Sequence, residues 1–439
     1  MVIIQVAQLL LALTILVFIH ELGHFLAARM FGVKVDKFFI FFDAWGKKIW
    51  SIKRGDTEYG IGWLPLGGYV KIAGMIDESM DKDQMKSEPQ PWELRAKPNW
   101  QKFIVMIAGI VMNVILGIIL YICIHNHYTR YYIPVESINN KGGIFATESG
   151  QQYGFQTGDQ LVSINGKSFE RFDDYNSARL YFGSKVVVDR NGKLVEIIVA
   201  DSAFKDKMRG KVLFDISSNV FIDSINMEVP YAGKAGLMKG DQIVAVDSVP
   251  LACYPQLSDM LSHHKNGNVT ITYLRNDEVM NASVNVDSAG KIGFFPHITY
   301  FPYDSLKYTF ARSVSYGTRD AFEVFYFQAI SLWRIFTGDI PAKDSISSPI
   351  GITRLFAPVW DWGSFWMLTA LLSMVLAFMN LLPIPALDGG HMLFILIESI
   401  TRRKLSDKFM ERAQIVGMVL LLGLMVFAVG NDIFKIFDK

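Results

Sequence analysis

Val17-Phe-Ile-His20-Glu21-Leu-Gly-His24-Phe-Leu-Ala-Ala28 continues an apolar run that has no charged side chain from Val2 to Ile19. A helix advances about 100° per residue, so His20 and His24 sit about 40° apart, one turn along the same face. That spacing lets two imidazoles share one metal ion, with Glu21 on the flank, in reach of the proton of a metal-bound water. Two imidazoles and a carboxylate at bilayer depth are costly unless something uses them. A chance H-E-x-x-H in a soluble helix is the competing explanation, and the apolar setting argues against it.

The chain has 439 residues, of which 51% are hydrophobic and 19% charged, with 32 Phe and a mean hydropathy of +0.25. That is too apolar for an ordinary soluble enzyme and too charged to be membrane helix throughout, so several spans and a sizeable aqueous part are expected. The net charge of +1 offers no electrostatic footprint for nucleic acid. Cys123 lies in an apolar segment and Cys253 in a polar one, which argues against a disulfide between them. With no basic residue before Arg29 and no small-residue cleavage site, the N-terminal run reads as a retained span.

Three further stretches qualify as spans: Phe103 to Ile124, Trp366 to Leu387, and Ile415 to Val429 extended through Ala413 and Gly430. Lys34, Lys37, Lys47, Lys48, Lys53 and Arg54 follow the first span, and Arg402, Arg403, Lys404, Lys408 and Arg412 lie between the last two. With four spans these connections share a side, and the excess of positive charge makes it the cytoplasm. Both termini and the long middle segment are then external. His20 and His24 fall near the inner end of the first span, and the third span runs inward toward Asp388, at a similar depth.

Asn380-Leu-Leu-Pro383-Ile-Pro385-Ala-Leu-Asp388-Gly-Gly-His391 is the second strong signal. Two prolines one residue apart break a regular helix, since each lacks an amide hydrogen and restricts the residue before it. Broken helix at membrane depth is tolerated where protein or a water-filled cavity satisfies the freed carbonyls. Asp388 offers a carboxylate beside the small Gly389-Gly390, and two histidines plus one carboxylate leave a fourth tetrahedral position open, as in a catalytic zinc site. In a soluble loop Asp388 would be an ordinary turn residue. Asn380 suits either a hydrogen bond to an extended substrate backbone or a tie between two helices. His391 suits an outer or capping role better than a ligand's.

Together these residues resemble the site-2 protease family of intramembrane zinc metalloproteases. The resemblance runs along nearly the whole chain, through Thr57-Glu-Tyr59, Pro65-Leu-Gly-Gly-Tyr-Val-Lys71, Ser348-Pro-Ile350 and the closing Asn431-Asp432. It implies one zinc ion held by His20, His24 and Asp388, with Glu21 as general base. It further implies that residues 60–71 form a membrane-re-entrant β-element whose edge, at Gly67, Gly68, Tyr69 and Val70, aligns the substrate as an added strand. Asn380, Pro383 and Pro385 would contact the same substrate. Pattern alone supports a hairpin there, with Ile61, Trp63 and Leu64 on one side of Gly67-Gly68 and Tyr69-Val70 on the other. One departure stands out: this chain has Phe41-Phe42-Asp43 where the family carries Gly-x-Gly.

The middle segment repeats itself. Gly154-Phe-Gln-Thr-Gly-Asp-Gln-Leu-Val-Ser-Ile-Asn-Gly166 matches Gly236-Leu-Met-Lys-Gly-Asp-Gln-Ile-Val-Ala-Val-Asp-Ser248. A Gly-x-x-x-Gly-Asp turn followed by a short alternating strand resembles PDZ domains, which bind peptides by strand addition. The alternative is that the pair only occludes or supports the membrane part. His263-His264 reads as a solvated loop pair. Leu306 to Phe336 mixes aromatics with Lys307, Arg312, Arg319 and Arg334, the composition of an amphipathic helix lying on a membrane or on the spans, with packing against the PDZ-like pair as the alternative.

The expected fold is therefore a polytopic α-helical membrane protein with four transmembrane helices and a re-entrant β-element, into which an external pair of PDZ-like β-rich domains is inserted. The expected parts are residues 1–129, 130–214, 215–300, 301–364 and 365–439. The resemblance implies a zinc metalloendopeptidase of a bacterial inner membrane. Its substrates would be single-span proteins already trimmed outside, of the anti-sigma-factor type, or remnant signal peptides. The rival is a membrane-anchored PDZ adaptor with a structural metal site, which would normally be closed by a fourth protein ligand.

Overall fold

The computed structural model describes residues 2–437 apart from 65–66, 76–87, 129, 141, 176, 182, 209–210, 217, 227–228, 301–303, 307 and 339–347. Pro65 and Leu66 of the expected β-element thus lie outside the described residues. The chain divides into two compact units, one of Met1–Thr129 with Lys307–Lys439, the other of Arg130–Leu306.

The first unit is built from six long helices: α1 (Val2–Met30), α2 (Asn99–His127), α3 (Phe310–Phe336), α4 (Trp362–Leu381), α5 (Asp388–Thr401) and α6 (Asp407–Phe437). Among the described residues four segments are long and apolar enough to cross a membrane: Val2–Met30, Asn99–His127, Trp362–Leu381 and Lys408–Asp432. They coincide with the four expected spans, with one correction. The third span ends at Leu381, not Leu387, because the Pro383–Pro385 stretch cannot hold helical hydrogen bonds, and a separate helix starts at Asp388.

Helix α2 is the hub, packing against α1, α3, α4 and α5. Its approach to α1 is backbone-close: any side chain at Gly23 would collide with the Ala108 carbonyl. Helix α3 buries Ser313, Gly317 and Ala321, spaced four apart, against α2 and α4, and leaves Phe322, Tyr326, Trp333 and Phe336 exposed. Of the placements expected for this amphipathic segment, its buried face takes the one on the spans. His125 of α2 meets Asp320 of α3 at 2.9 Å, which accounts for a buried histidine near the end of a span.

Between α1 and α2 lies a four-stranded sheet of β1 (Val35–Ile40), β2 (Lys48–Arg54), β3 (Thr57–Gly62) and β4 (Tyr69–Ile72), in the order β2-β3-β1-β4. The expected hairpin across Gly67-Gly68 does not form. The two-residue turn at Gly55-Asp56, with Gly55 at φ 64°, joins β2 to β3 instead. The free edge of β3 then pairs in parallel with β1, whose Phe38 and Phe39 are buried, and β4 takes the opposite edge of β1. In the family's Gly-x-Gly place, Phe41 holds φ 71°, a left-handed conformation that favours glycine. Asp43 braces the turn by accepting bonds from Lys37 Nζ and Tyr69 OH, each at 2.7 Å.

The second unit is β-rich and carries its duplication in three dimensions. Strands Gln160–Ile164, Ser184–Arg190 and Lys193–Val199 form one antiparallel sheet. A second sheet runs in the spatial order Glu278–Asn285, Asn268–Arg275, Gln242–Val246, Ser218–Ile225, Phe294–Tyr300. In the first half Arg190 grips both oxygens of Asp159 at 2.7 and 2.8 Å and the Gly154 carbonyl at 2.8 Å. In the second half Arg275 does the same to Asp241, at 2.7 and 2.8 Å, and to the Gly236 carbonyl at 2.7 Å. The repeated Gly-x-x-x-Gly-Asp turn is thus one device used twice. Arg130–Tyr132, where the chain enters the unit, pairs antiparallel with Asp304–Leu306, where it leaves. Cys123 and Cys253 are both free.

Candidate metal centre

His20 and His24 lie on the buried face of α1, at 8% and 6% exposure. Asp388 is the first residue of α5, delivered by the break that follows α4. In that break Ile384 N bonds Leu382 O at 2.7 Å and Leu387 N bonds Ile384 O at 3.0 Å, while Ala386 stands at φ 85°. The fold-back passes so close that a side chain at Gly389 would overlap the Leu382 carbonyl. Asp388 Oδ2 ends 3.1 Å from His20 Nε2 and 3.2 Å from His24 Nε2, and the two Nε2 atoms are 3.3 Å apart.

This donor set fits a zinc ion. Asp388 Oδ2 is buried without a hydrogen-bond partner, an expensive state for a carboxylate oxygen that a cation would relieve. His24 Nδ1 donates to the Val105 carbonyl at 2.8 Å, which leaves the Nε2 lone pair facing the cluster. Two nitrogens and one oxygen leave room for water or substrate. Among the described residues His20, His24 and Asp388 are the one group of histidine, cysteine and carboxylate side chains close enough to hold a metal. His391 is not in that group, nor are His125 and His127.

The other expected site residues fall around this centre. Glu21 is partly exposed on α1, between the two histidines in sequence. Asn380, in the last turn of α4, brings its amide nitrogen to 3.2 Å from His20 Nε2, which places it at the centre itself. Pro383 and Pro385 form the break. Gly67 and Gly68 lead into β4, whose Tyr69 and Val70 pair with β1 on one side only; β4 is a sheet edge among the described strands. A methyl at Gly68 would stand 2.9 Å from Val17 Cγ1, three residues before His20, so the start of this edge is packed onto α1 beside the centre.

Two residues of α2 were not expected. A methyl at Gly109 would overlap His24 Nε2 and stand 2.8 Å from His20 Cε1, so this position must lack a side chain. Asn113, one turn further and fully buried, places its amide 3.3 Å from His20 Nδ1. The signal available was an amide side chain inside an otherwise apolar span with a glycine four residues before it.

Two imidazoles from one bilayer-length helix and a carboxylate from the break after another make a candidate metal centre of the kind an integral membrane metallopeptidase would carry. Peptidase family M50 matches residues 8–424, and the chain belongs to that family. It is similar to a Vibrio cholerae protein provisionally named a zinc metalloprotease, 27% identical over 96% of this chain and 97% of the relative. A similarly named Campylobacter jejuni protein is 29% identical over 98% and 93%. The regulator of sigma-E protease of Salmonella typhimurium is 29% identical over 98% of both chains. The resemblance read from the motifs is borne out, and membership decides against the adaptor: this protein is a membrane-embedded metalloprotease.

Proposed function

We propose that this protein cuts single-span membrane proteins within or near the bilayer, using one zinc ion held by His20, His24 and Asp388. The observation that carries this is the meeting of three ligand atoms at a buried point where one carboxylate oxygen has no hydrogen bond. Zinc bound there would supply Lewis-acid chemistry, polarising a carbonyl and making water acidic near neutrality. Glu21 acts as general base, taking a proton from the attacking water and passing it to the leaving amine. Asn380 is positioned to hydrogen-bond the substrate backbone beside the zinc ligands. Helical substrates hide their carbonyls, so the cut segment must unwind. The free edge of β4 offers it strand-like hydrogen bonds, and the break at Pro383 and Pro385 leaves further backbone groups unpaired by helix. Exposed Ile49, Trp50 and Ile52 on β2, with Trp45 and Trp63 in the turns beside the same sheet, support its dipping into the membrane.

The external unit consists of two PDZ-like domains that screen substrates, and the repeated arginine clamp on the Gly-Asp turn supports that assignment. Both termini and this unit lie outside a bacterial inner membrane. The substrate class is an anti-sigma-type or signal-peptide remnant already trimmed outside, in keeping with the name of the Salmonella relative. Glu21→Gln tests the core of the proposal: zinc content should stay parental while cleavage of a model membrane peptide falls about 10²–10⁴-fold. Parental cleavage by this variant would remove Glu21 as the base.

A further inference from the structure

Residues 105, 109 and 113 form one stripe of α2, spaced four apart, and lie against two histidines spaced four apart on α1. Val105 contributes a carbonyl to His24, Gly109 the absence of a side chain, and Asn113 an amide to His20. A histidine that offers Nε2 to a cation keeps its proton on Nδ1 and must donate it. Val105 O is the acceptor for His24, at 2.8 Å. For His20, the partner of Nδ1 among the described residues is the Asn113 amide, at 3.3 Å.

An amide can turn either end to its neighbour. With Nδ2 toward His20, the ring would need its lone pair on Nδ1 and its proton on Nε2, the atom that faces Asp388. That tautomer could not bind zinc through Nε2, and it leaves Asn113 Oδ1 buried with no partner. With the amide turned over, Oδ1 accepts the Nδ1 proton and the Nε2 lone pair is freed for the metal. Asn113 is held in place from behind, because Ser373 of α4 donates its hydroxyl to the Asn113 backbone carbonyl at 2.7 Å. We propose that Asn113 is a positioning residue whose side-chain oxygen fixes the zinc-binding tautomer of His20, so that α2, which supplies no ligand, sets the proton placement of both histidines. This inference rests on the zinc assignment above.

The test uses the full-length protein in detergent, loaded with zinc or with cobalt. Asn113→Leu keeps the approximate volume but has no acceptor. Its zinc should be stripped by a chelator at about 10- to 100-fold lower concentration than the parent's, with an altered visible spectrum in the cobalt form. Asn113→Asp keeps the acceptor and loses the donor, so it should hold zinc to within about threefold of the parent. Parental zinc retention and an unchanged cobalt spectrum in Asn113→Leu would overturn the inference. So would Asn113→Asp losing zinc, and this second arm stands even if the leucine variant does not fold. His20→Ala separates the two levels. If it is empty while Asn113→Leu stays full, only the role of Asn113 fails; if it holds zinc like the parent, the ligand assignment fails and this inference with it.

Discussion

Gly109 makes the sharpest residue-scale prediction, because the smallest possible addition lands on the proposed ligands. Gly109→Ala places a methyl over His24 Nε2, so purified protein should lose most of its zinc while Gly423→Ala, a glycine of α6 with open space around it, keeps it. Metal analysis of the two variants side by side is the check, and zinc at the parental level in Gly109→Ala would show that α1 and α2 are looser than described. Asp215 of the β-rich unit gives a pH prediction. Burial pushes its carboxyl up to about 6, partly offset by the bond it accepts from the Ile216 amide. The folded value lies above the ordinary 3.8, so the stabilisation is complete below that value and is lost as pH rises through about 6. Asp215→Asn should remove a pH-dependent difference of up to about 3 kcal/mol between pH 4 and 8, seen in thermal unfolding of the parent and variant over that range. At this scale the ligand candidates were legible from the sequence because H-E-x-x-H and the Asp-Gly-Gly turn announce themselves locally. Gly109 and Asn113 were not, since neither has a role until α2 is packed on α1.

Elements show the same divide between local and packed information. The break between α4 and α5 could be read from two prolines, but not the length of the helix that resumes at Asp388. The sheet was misassigned at Gly67-Gly68 because a glycine pair between apolar runs looks like a hairpin turn. The Gly55-Asp56 turn had already committed β3 to β2, and β1 claimed the remaining edge of β3 and one edge of β4. Strand partners far apart in sequence leave no local trace. Helix α6 is seated at two points. Gly417 lies against Pro385, where any side chain would overlap the carbonyl, and Asp432 Oδ2 accepts from Ser348 N, Ser348 Oγ and Gly351 N at 2.9, 2.6 and 3.1 Å. Gly417→Val should therefore displace the break that carries Asp388 and lower peptide cleavage at least about tenfold, as expected for a ligand moved by about 1 Å. Asp432→Ala should lower thermal stability in detergent by roughly 2–3 kcal/mol without loss of zinc. Equal zinc loss in both variants would mean that the two seats are not independent.

For the whole molecule, the four spans and the existence of a separate β-rich unit were legible from hydropathy and from the internal repeat. The strand order within that unit was not. In the orientation proposed from charge, cysteine labelling should place Lys47 and Arg403 on the cytoplasmic side and Asn191 and Asn276 outside; labelling of Asn191 from the cytoplasm would overturn it. Replacing residues 133–303 with a tight turn should spare cleavage of a small membrane peptide and relax rejection of untrimmed substrates, measured as the cleavage ratio of untrimmed to trimmed substrate at matched protein levels. An unchanged ratio would leave recruitment or support as the role of the β-rich unit. The junction is chosen at the ladder between Arg130–Tyr132 and Asp304–Leu306. Because the strands entering and leaving that unit are zipped together, the 171 residues between them (133–303) behave, for the rest of the chain, like a closed loop. Once the ladder forms, α2 and α3 are neighbours in effective contour length, and their docking no longer bears the entropy of closing so long a segment. The protein can thus be regarded as a short membrane polypeptide with a detachable cassette, free to lengthen, shrink or exchange that cassette without disturbing how its helices find one another.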